Sequence, residues 1–154
     1  MRFTCNRSLI ADVAALVGQA VAGKSTRKIF ECILIQASKE DGVVFTGTDL
    51  EVAVRYRLPA GVEVQQAGDA VVPAQLFAGV LREIADENVT VAVEKQKLTL
   101  DTDGGFFELE CEDPSQYPEI PEFPSEATCL IGAEDLRSLV RKTVFAAGRE
   151  AARY

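Results

Sequence analysis

The 154-residue chain has no histidine, no tryptophan and a single methionine. Without histidine there is no Ser-His-Asp or Cys-His nucleophile system, no imidazole-ligated zinc and no ordinary general base near neutral pH. Long apolar runs are missing too, and the opening Met1-Arg2-Phe3-Thr4-Cys5-Asn6 has no hydrophobic segment of signal-peptide length. Membrane insertion and secretion are therefore not expected, and a cytoplasmic location is. Four cysteines, Cys5, Cys32, Cys111 and Cys129, make no CxxC pair and stand 27, 79 and 18 residues apart. That spacing suggests neither zinc nor a redox pair, so each is expected to be a reduced, buried thiol. No catalytic set, metal site or cofactor is expected.

What is present describes a folded protein. Apolar residues make up 47% and charged residues 26%, enough to bury a core, and the length suits one domain or one domain plus part of another. Lys and Arg number 16 against 24 Asp and Glu, a net charge of -8. Taken as a total, that charge opposes a nucleic-acid partner, because affinity for phosphates comes from clustered cations.

The order of elements repeats. A strand over Arg2 to Asn6 precedes a helix over Arg7 to Ala22, whose apolar face is Leu9, Ile10, Val13, Leu16, Val17, Ala20 and Val21. Three β-branched stretches follow at Phe30 to Ala37, Val43 to Thr46 and Leu50 to Leu58. After a loop from Pro59 to Gly68, a strand at Ala70 to Val72 leads through Pro73 into a helix ending near Ala85, with Leu76, Phe77, Val80, Leu81 and Ile84 on one face. Three more strands are expected at Val89 to Val93, Leu98 to Thr102 and Phe106 to Glu110. Residues 1–112 thus hold strand, helix and three strands twice over, a duplicated unit. An acidic stretch with Pro114, Pro118, Pro121 and Pro124 reads as a linker over 113–126. A third copy starts in 127–154 with a strand over Ala127 to Ile131 and a helix from about Glu134, and the sequence ends before its three strands.

Charge follows this organisation. The three helices with their following loops (7–28, 74–85 and 134–154) hold ten basic residues against five acidic ones, while strands, turns and linker hold six against nineteen. A basic helix side and an acidic sheet side would suit a partner that presents phosphate from one direction. The outer positions of the first helix, Ala11, Ala14, Ala15, Gly18 and Gln19, are small or neutral and would allow close, sequence-independent approach. Gly18 to Ser25 matches GxxxxGK[ST] letter for letter, but phosphate cradling needs a strand before the glycines and a helix after them. Here a helix enters and a strand leaves, and Gly23 is read as a helix terminator. Carboxylates such as Glu108 and Glu110 alternate along strands, as on a wet sheet face.

Several segments resemble the bacterial DNA polymerase III beta subunit family, the sliding clamps. They are Met1-Arg2-Phe3-Thr4, Phe45-Thr46-Gly47-Thr48-Asp49-Leu50-Glu51, Val72-Pro73-Ala74 and Gln116-Tyr117-Pro118-Glu119-Ile120-Pro121, together with Phe145 to Tyr154, which is similar to the first helix of the second domain and the loop after it. The resemblance implies an α+β clamp fold with helices on one side of antiparallel sheets. It implies a non-catalytic processivity factor, a homodimeric ring whose helices line a hole for double-stranded DNA, held without sequence preference. The replicative polymerase and the clamp loader would be partners of the full-length protein. Carried over residue by residue, it makes Lys24, Arg149, Arg153 and Tyr154 DNA-contacting positions, with Arg153 also near a protein-binding cleft. It makes Phe107 and Leu109 contacts to the other protomer, although both also fit an ordinary edge strand with one buried face. Gln75, Leu76, Asp103 and Gly105 stand where some members carry basic residues. A fragment with one complete domain is not expected to close a ring. The alternative is a standalone interaction or regulatory module that pairs through the strand containing Phe107 and Leu109.

Overall fold

A computed structural model describes residues 1–59, 62–122 and 129–147. Strand β1 (Arg2–Asn6) turns Phe3 and Cys5 into the core and ends on Asn6, whose Oδ1 accepts the backbone N–H groups of Ser8 (3.0 Å) and Leu9 (3.3 Å). That side-chain cap satisfies two of the free donors at the start of helix α1 (Arg7–Val17). The helix buries Ile10, Val13, Ala14 and Val17, and a 3-10 turn over Gly18–Ala20 closes it. The helix period thus places Leu16 on the open side, 44% exposed, whereas Ala14, expected outside, lies in the core. Gly23 lies three residues beyond this turn and does not end the helix.

A second 3-10 turn at Lys28–Glu31 occupies the start of the expected strand, so β2 runs Cys32–Ser38 and pairs with β3 (Gly42–Thr48), which pairs with β4 (Ala53–Arg57). The third strand begins later than its alternation suggests. Asp49 accepts the N–H groups of Glu51 (3.0 Å) and Val52 (2.8 Å), and Leu50 adopts φ 78°, so the chain makes a closed loop before the ladder starts. The two donated hydrogen bonds hold the Asp49 carboxyl below its ordinary pKa.

β5 (Glu63–Gln66), read as loop from its polar sequence, is an edge strand on β1 with only Val64 half-buried. β6 (Gly68–Pro73) leads into α2 (Ala74–Glu83), which buries Ala74, Phe77, Ala78 and Leu81. Leu76, beside Phe77 in sequence, faces outward at 53% exposure. β7 (Asn88–Glu94), β8 (Lys97–Thr102) and β9 (Gly105–Glu110) follow as an antiparallel meander.

The two repeats exchange their first strands. One sheet has the order β5-β1-β7-β8-β9 and the other β4-β3-β2-β6, so β1 joins the second repeat and β6 joins the first. Helices α1 and α2 pack against each other and close one core with both sheets, where the Phe45 and Phe77 rings stack with centroids 6.4 Å apart. Gly47 is required where β3 passes the end of α1. A Cβ there would lie 2.5 Å from the Val17 carbonyl oxygen and 2.8 Å from its Cγ1. Gly47→Ala is therefore expected to cost about 3 kcal/mol through forced displacement of packed backbone. A thermal melt would show it against Gly23→Ala, where a Cβ meets nothing within 4 Å and Tm should stay within about 2 °C.

The first compact unit runs Met1–Ile120, eight residues into the stretch whose prolines mark it as linker. Glu112 bridges to Val71, Asp113 caps a 3-10 turn at Pro114–Gln116, and Tyr117 is buried beside Ile29, Cys32 and Val71. This strap, residues 113–120, lies on the face of the β4-β3-β2-β6 sheet opposite the helices. The reason is local: Tyr117 brings a large ring, and its hydroxyl donates to the Thr46 carbonyl at 3.0 Å.

The second unit runs Pro121–Tyr154. Of the strand expected over Ala127 to Ile131, 127–128 lie outside the described residues and 129–131 form no strand; the described part contains helix α3 (Ala133–Thr143). Glu134 and Asp135 in the first turn and Arg141 and Lys142 in the last suit the helix dipole. Leu136, Leu139, Val140 and Val144 are all exposed. Cys5 and Cys32 are buried and Cys111 half-buried as free thiols, while Cys129, expected inside, is exposed. Among the described residues no helix is long and apolar enough to cross a membrane, and no group of acidic, cysteine or histidine side chains could hold a metal ion.

Candidate nucleic-acid interface

The strongest local concentration of positive charge in the first unit is the loop that leaves α1. Lys24, Arg27 and Lys28 are all exposed there. Short polar contacts fix the loop: the Glu31 carboxylate accepts the Ser25 N–H at 2.7 Å, Ser25 Oγ accepts the Arg27 N–H at 3.2 Å, and Ala22 N–H donates to the Phe30 carbonyl at 2.9 Å. The Arg27 guanidinium stands 5.0 Å from the centroid of the Phe30 ring, a cation–π contact that limits its excursions. The three cations are therefore presented from a defined loop.

The same bonds dispose of the phosphate-loop reading of Gly18 to Ser25. Ser25 N–H, which would have to reach a phosphate, is taken by a carboxylate, and Gly18–Ala20 is the closing turn of a helix.

The helices beside this loop are close to neutral. Across their segments Arg7 offsets Asp12 and Arg82 offsets Glu83, so the positive balance expected of the helices resides mainly in the loop, with smaller shares in α3 and in the 149–153 stretch of sequence beyond it. Between α1 and α2 runs a shallow groove of 340 Å³ lined by Ala15, Gly18, Gln19, Gln75 and Arg82 among others. Small side chains bring the helices together here, and a Cβ on Gly18 would stand only 3.8 Å from that of Ala74. The result is a smooth face with one guanidinium and no acidic residue in its lining.

Of the remaining site positions, Arg149, Arg153 and Tyr154 lie outside the described residues. β9 is an edge of its sheet, and within it Phe107 is 40% exposed while Leu109 is 4% exposed and packed in the core. Leu109 pairs with Leu98 and Phe107 with Leu100, so both face the core side of the sheet. What Leu109 can offer a neighbour is its backbone. Phe106, on the other face and 68% exposed, is the apolar edge residue that the alternation argument passed over. Two adjacent phenylalanines in an edge strand were the available signal.

Comparison with known proteins places the chain in a family. The profile of the DNA polymerase III beta subunit, N-terminal domain, matches residues 1–121. The beta sliding clamp of Bacillus subtilis is 30% identical over 153 residues, covering 95% of this chain and 40% of that protein. The beta sliding clamp of Chlamydia muridarum is 27% identical, covering 100% of this chain and 42% of that protein. Among solved structures, the DNA polymerase sliding clamp from Bacillus subtilis superposes with a TM-score of 0.92 at 28% identity, covering 99% of this chain and 42% of that one. The DNA polymerase III subunit beta from Pseudomonas aeruginosa superposes at 0.85 and 25% identity, covering 100% and 42%. The chain spans 40% to 42% of the length of these relatives.

Proposed function

This chain belongs to the DNA polymerase III beta subunit family, and from that premise we propose that it is the first domain and the opening of the second domain of a sliding clamp. In this reading the clamp is a cytoplasmic, non-catalytic processivity factor. The full-length protein forms a homodimeric ring around double-stranded DNA and tethers the replicative polymerase after a clamp loader has placed it there. Residues 1–112 and their strap form the first clamp domain, and 127–154 begin the second.

The observation that carries the reading is the fixed Lys24, Arg27 and Lys28 cluster next to a nearly neutral, small-residue helix face. A protein that must slide needs phosphate attraction without base readout, and it must not bind so tightly at any one place that it stops. Three cations on a loop and a smooth groove meet both needs. Lys24 contacts phosphate in this reading, and Arg149, Arg153 and Tyr154 add contacts from the second domain.

The test is binding of mixed-sequence duplex followed by fluorescence anisotropy at several salt concentrations. The triple substitution Lys24→Ala, Arg27→Ala and Lys28→Ala is expected to weaken binding about ten-fold at low salt and to reduce the salt slope by about 2 to 3. Affinity that is unchanged in the triple variant, or that depends on sequence, would remove the loop from the interface.

The exposed β9 edge favours a companion reading, contact with another protomer. Its free backbone edge and the exposed Phe106 and Phe107 would extend a neighbouring sheet, with Leu109 holding the strand in place from the core.

A further inference from the structure

We propose that the β4 edge of one copy of this chain receives the β9 edge of another, so that copies join head to tail through one continuous sheet. The inference rests on the companion reading of β9 as a protomer-contact strand and names the surface that meets it. It does not depend on the DNA reading.

β4 and β9 each end a sheet, with a ladder partner on one side only. Both strands alternate. In β4, Val54 and Tyr56 are half-buried against the core, while Ala53, Arg55 and Arg57 are exposed on the outer face. In β9, Phe107 and Leu109 face the core side, while Phe106, Glu108 and Glu110 are exposed on the outer face. The outer row of β4 is therefore basic and that of β9 acidic, and neither strand carries a charge of the other sign. Charges of one sign along an edge keep strands from adding to it. Here the two edges differ in sign. Two β4 strands would set arginines against arginines and two β9 strands glutamates against glutamates, so an edge is barred from its own copy. β4 against β9 is the combination whose rows attract. Such a contact joins unlike surfaces and leaves the pair one free edge of each kind, so assembly continues beyond two copies.

Register follows from the alternation. Laid antiparallel with full overlap, 53–57 of one copy against 106–110 of the next, the strands set Arg55 opposite Glu108 and Arg57 opposite Phe106 on the outer face. On the core side they set Tyr56 opposite Phe107 and Val54 opposite Leu109. The outer pairs are an ion pair and a cation beside an aromatic ring, and the inner pairs are aromatic and aliphatic, all favourable across strands. A slip by one residue would put an arginine beside Leu109 and lose every one of them. The pairing covers Phe106, which is 68% exposed in the single chain. It also keeps α1 and α2 of both copies on one side of the joined sheet. Existing ion pairs do not stand in the way. Arg57 with Asp41 at 3.1 Å and Lys97 with Glu108 at 3.5 Å are both solvent-exposed, and pairs of that kind are weak enough to exchange.

The experiment is sedimentation velocity of the 154-residue chain under reducing conditions and low salt, from about 10 µM to about 1 mM. The weight-average mass is expected to rise past that of a dimer, with Kd on the order of 100 µM for so small a contact, and to fall back as salt is added. Arg55→Glu with Arg57→Glu should weaken association about ten-fold, and so should Glu108→Arg with Glu110→Arg. All four positions are exposed, so circular dichroism should stay unchanged. An equimolar mixture of the two variants should recover association, because each β4 then meets a β9 of opposite sign on the other chain. A chain that stays monomeric at the highest concentration overturns the proposal, and so does a mixture that fails to recover. Association that survives both double substitutions overturns it too and assigns the contact to the exposed apolar face of α3. Loss in the β9 variant with the β4 variant unaffected overturns this pairing while leaving β9 a protomer contact. If the β9 variant does not fold, the β4 variant decides the matter alone.

Discussion

Tyr117→Ala is expected to destabilise the first unit by about 4 kcal/mol, the cost of emptying a large aromatic site together with a hydrogen bond. The ring is 8% exposed and packs with Ile29, Cys32 and Val71, apart from the main core. Its hydroxyl donates to the Thr46 carbonyl at 3.0 Å and stands 3.5 Å from that of Cys32. Nothing of comparable size in 113–120 could take its place, since the other strap residues are prolines, polar residues and one isoleucine. The strap should therefore detach as a unit. A protease that cuts after glutamate should then cleave at Glu119 in the variant much faster than in the parent, and Tm should fall by roughly 15 °C. Tyr117→Phe keeps the ring and should lose only about 1 to 2 kcal/mol. A loss below about 1 kcal/mol for Tyr117→Ala, with no gain in cleavage, would mean that the strap holds by other contacts.

Alkaline pH is expected to unfold the protein cooperatively between pH 9 and 12, because three buried acids and the half-buried Cys111 resist ionisation in the folded state. Burial pushes Cys5 up to about 12 from 9.0 and Cys111 up to about 11 from the same value. Burial, and then the Glu112 and Glu31 carboxylates, push Cys32 up to about 11. Burial pushes Tyr117 up to about 12 from 10.0. Each folded value lies above the unfolded one, so the unfolded chain releases its protons first as pH rises. The contribution of these groups is complete below pH 9 and is lost as pH climbs through 11 and 12. Cys5, the most deeply desolvated of the four, contributes the largest share, and solvent screening reduces what Cys32, Cys111 and Tyr117 add. Urea midpoints measured under reducing conditions should fall steeply across this window. Cys32→Ala with Cys111→Ala should move the fall to higher pH, at some cost in neutral stability. A midpoint that stays flat from pH 9 to 12 would show that these thiols are reached by water.

Much of this was legible in the residues. Strand β1 has the bounds read from its alternation, and β7, β8 and β9 lie within one residue of theirs. The duplication, the separation of charge and the refusal of the phosphate-loop match also came from order and spacing. Errors fell where local chemistry outweighed period. Asp49 holds two backbone donors and delays β4, and β5 exists because an edge strand needs only one apolar contact. Of the proposed interface, Lys24 was named through the family resemblance, and Arg27 and Lys28 join it in the proposal because Glu31 and Phe30 fix the loop that presents all three.

The sequence by itself determined that this is a duplicated α+β chain with its cations near the helices and no equipment for histidine chemistry, because composition and period are local properties. Only the tertiary structure decided three things. It exchanged the first strand of each repeat, because β1 and β6 each find their ladder partner in the other half. It turned the opening of an acidic, proline-rich stretch into part of the first domain, because a single tyrosine finds a second small core on the outer sheet face. And it ended α1 at Val17, which leaves α1 and α2 neutral and gathers Lys24, Arg27 and Lys28 on one loop, because where a helix stops is settled by its packing against the rest of the fold.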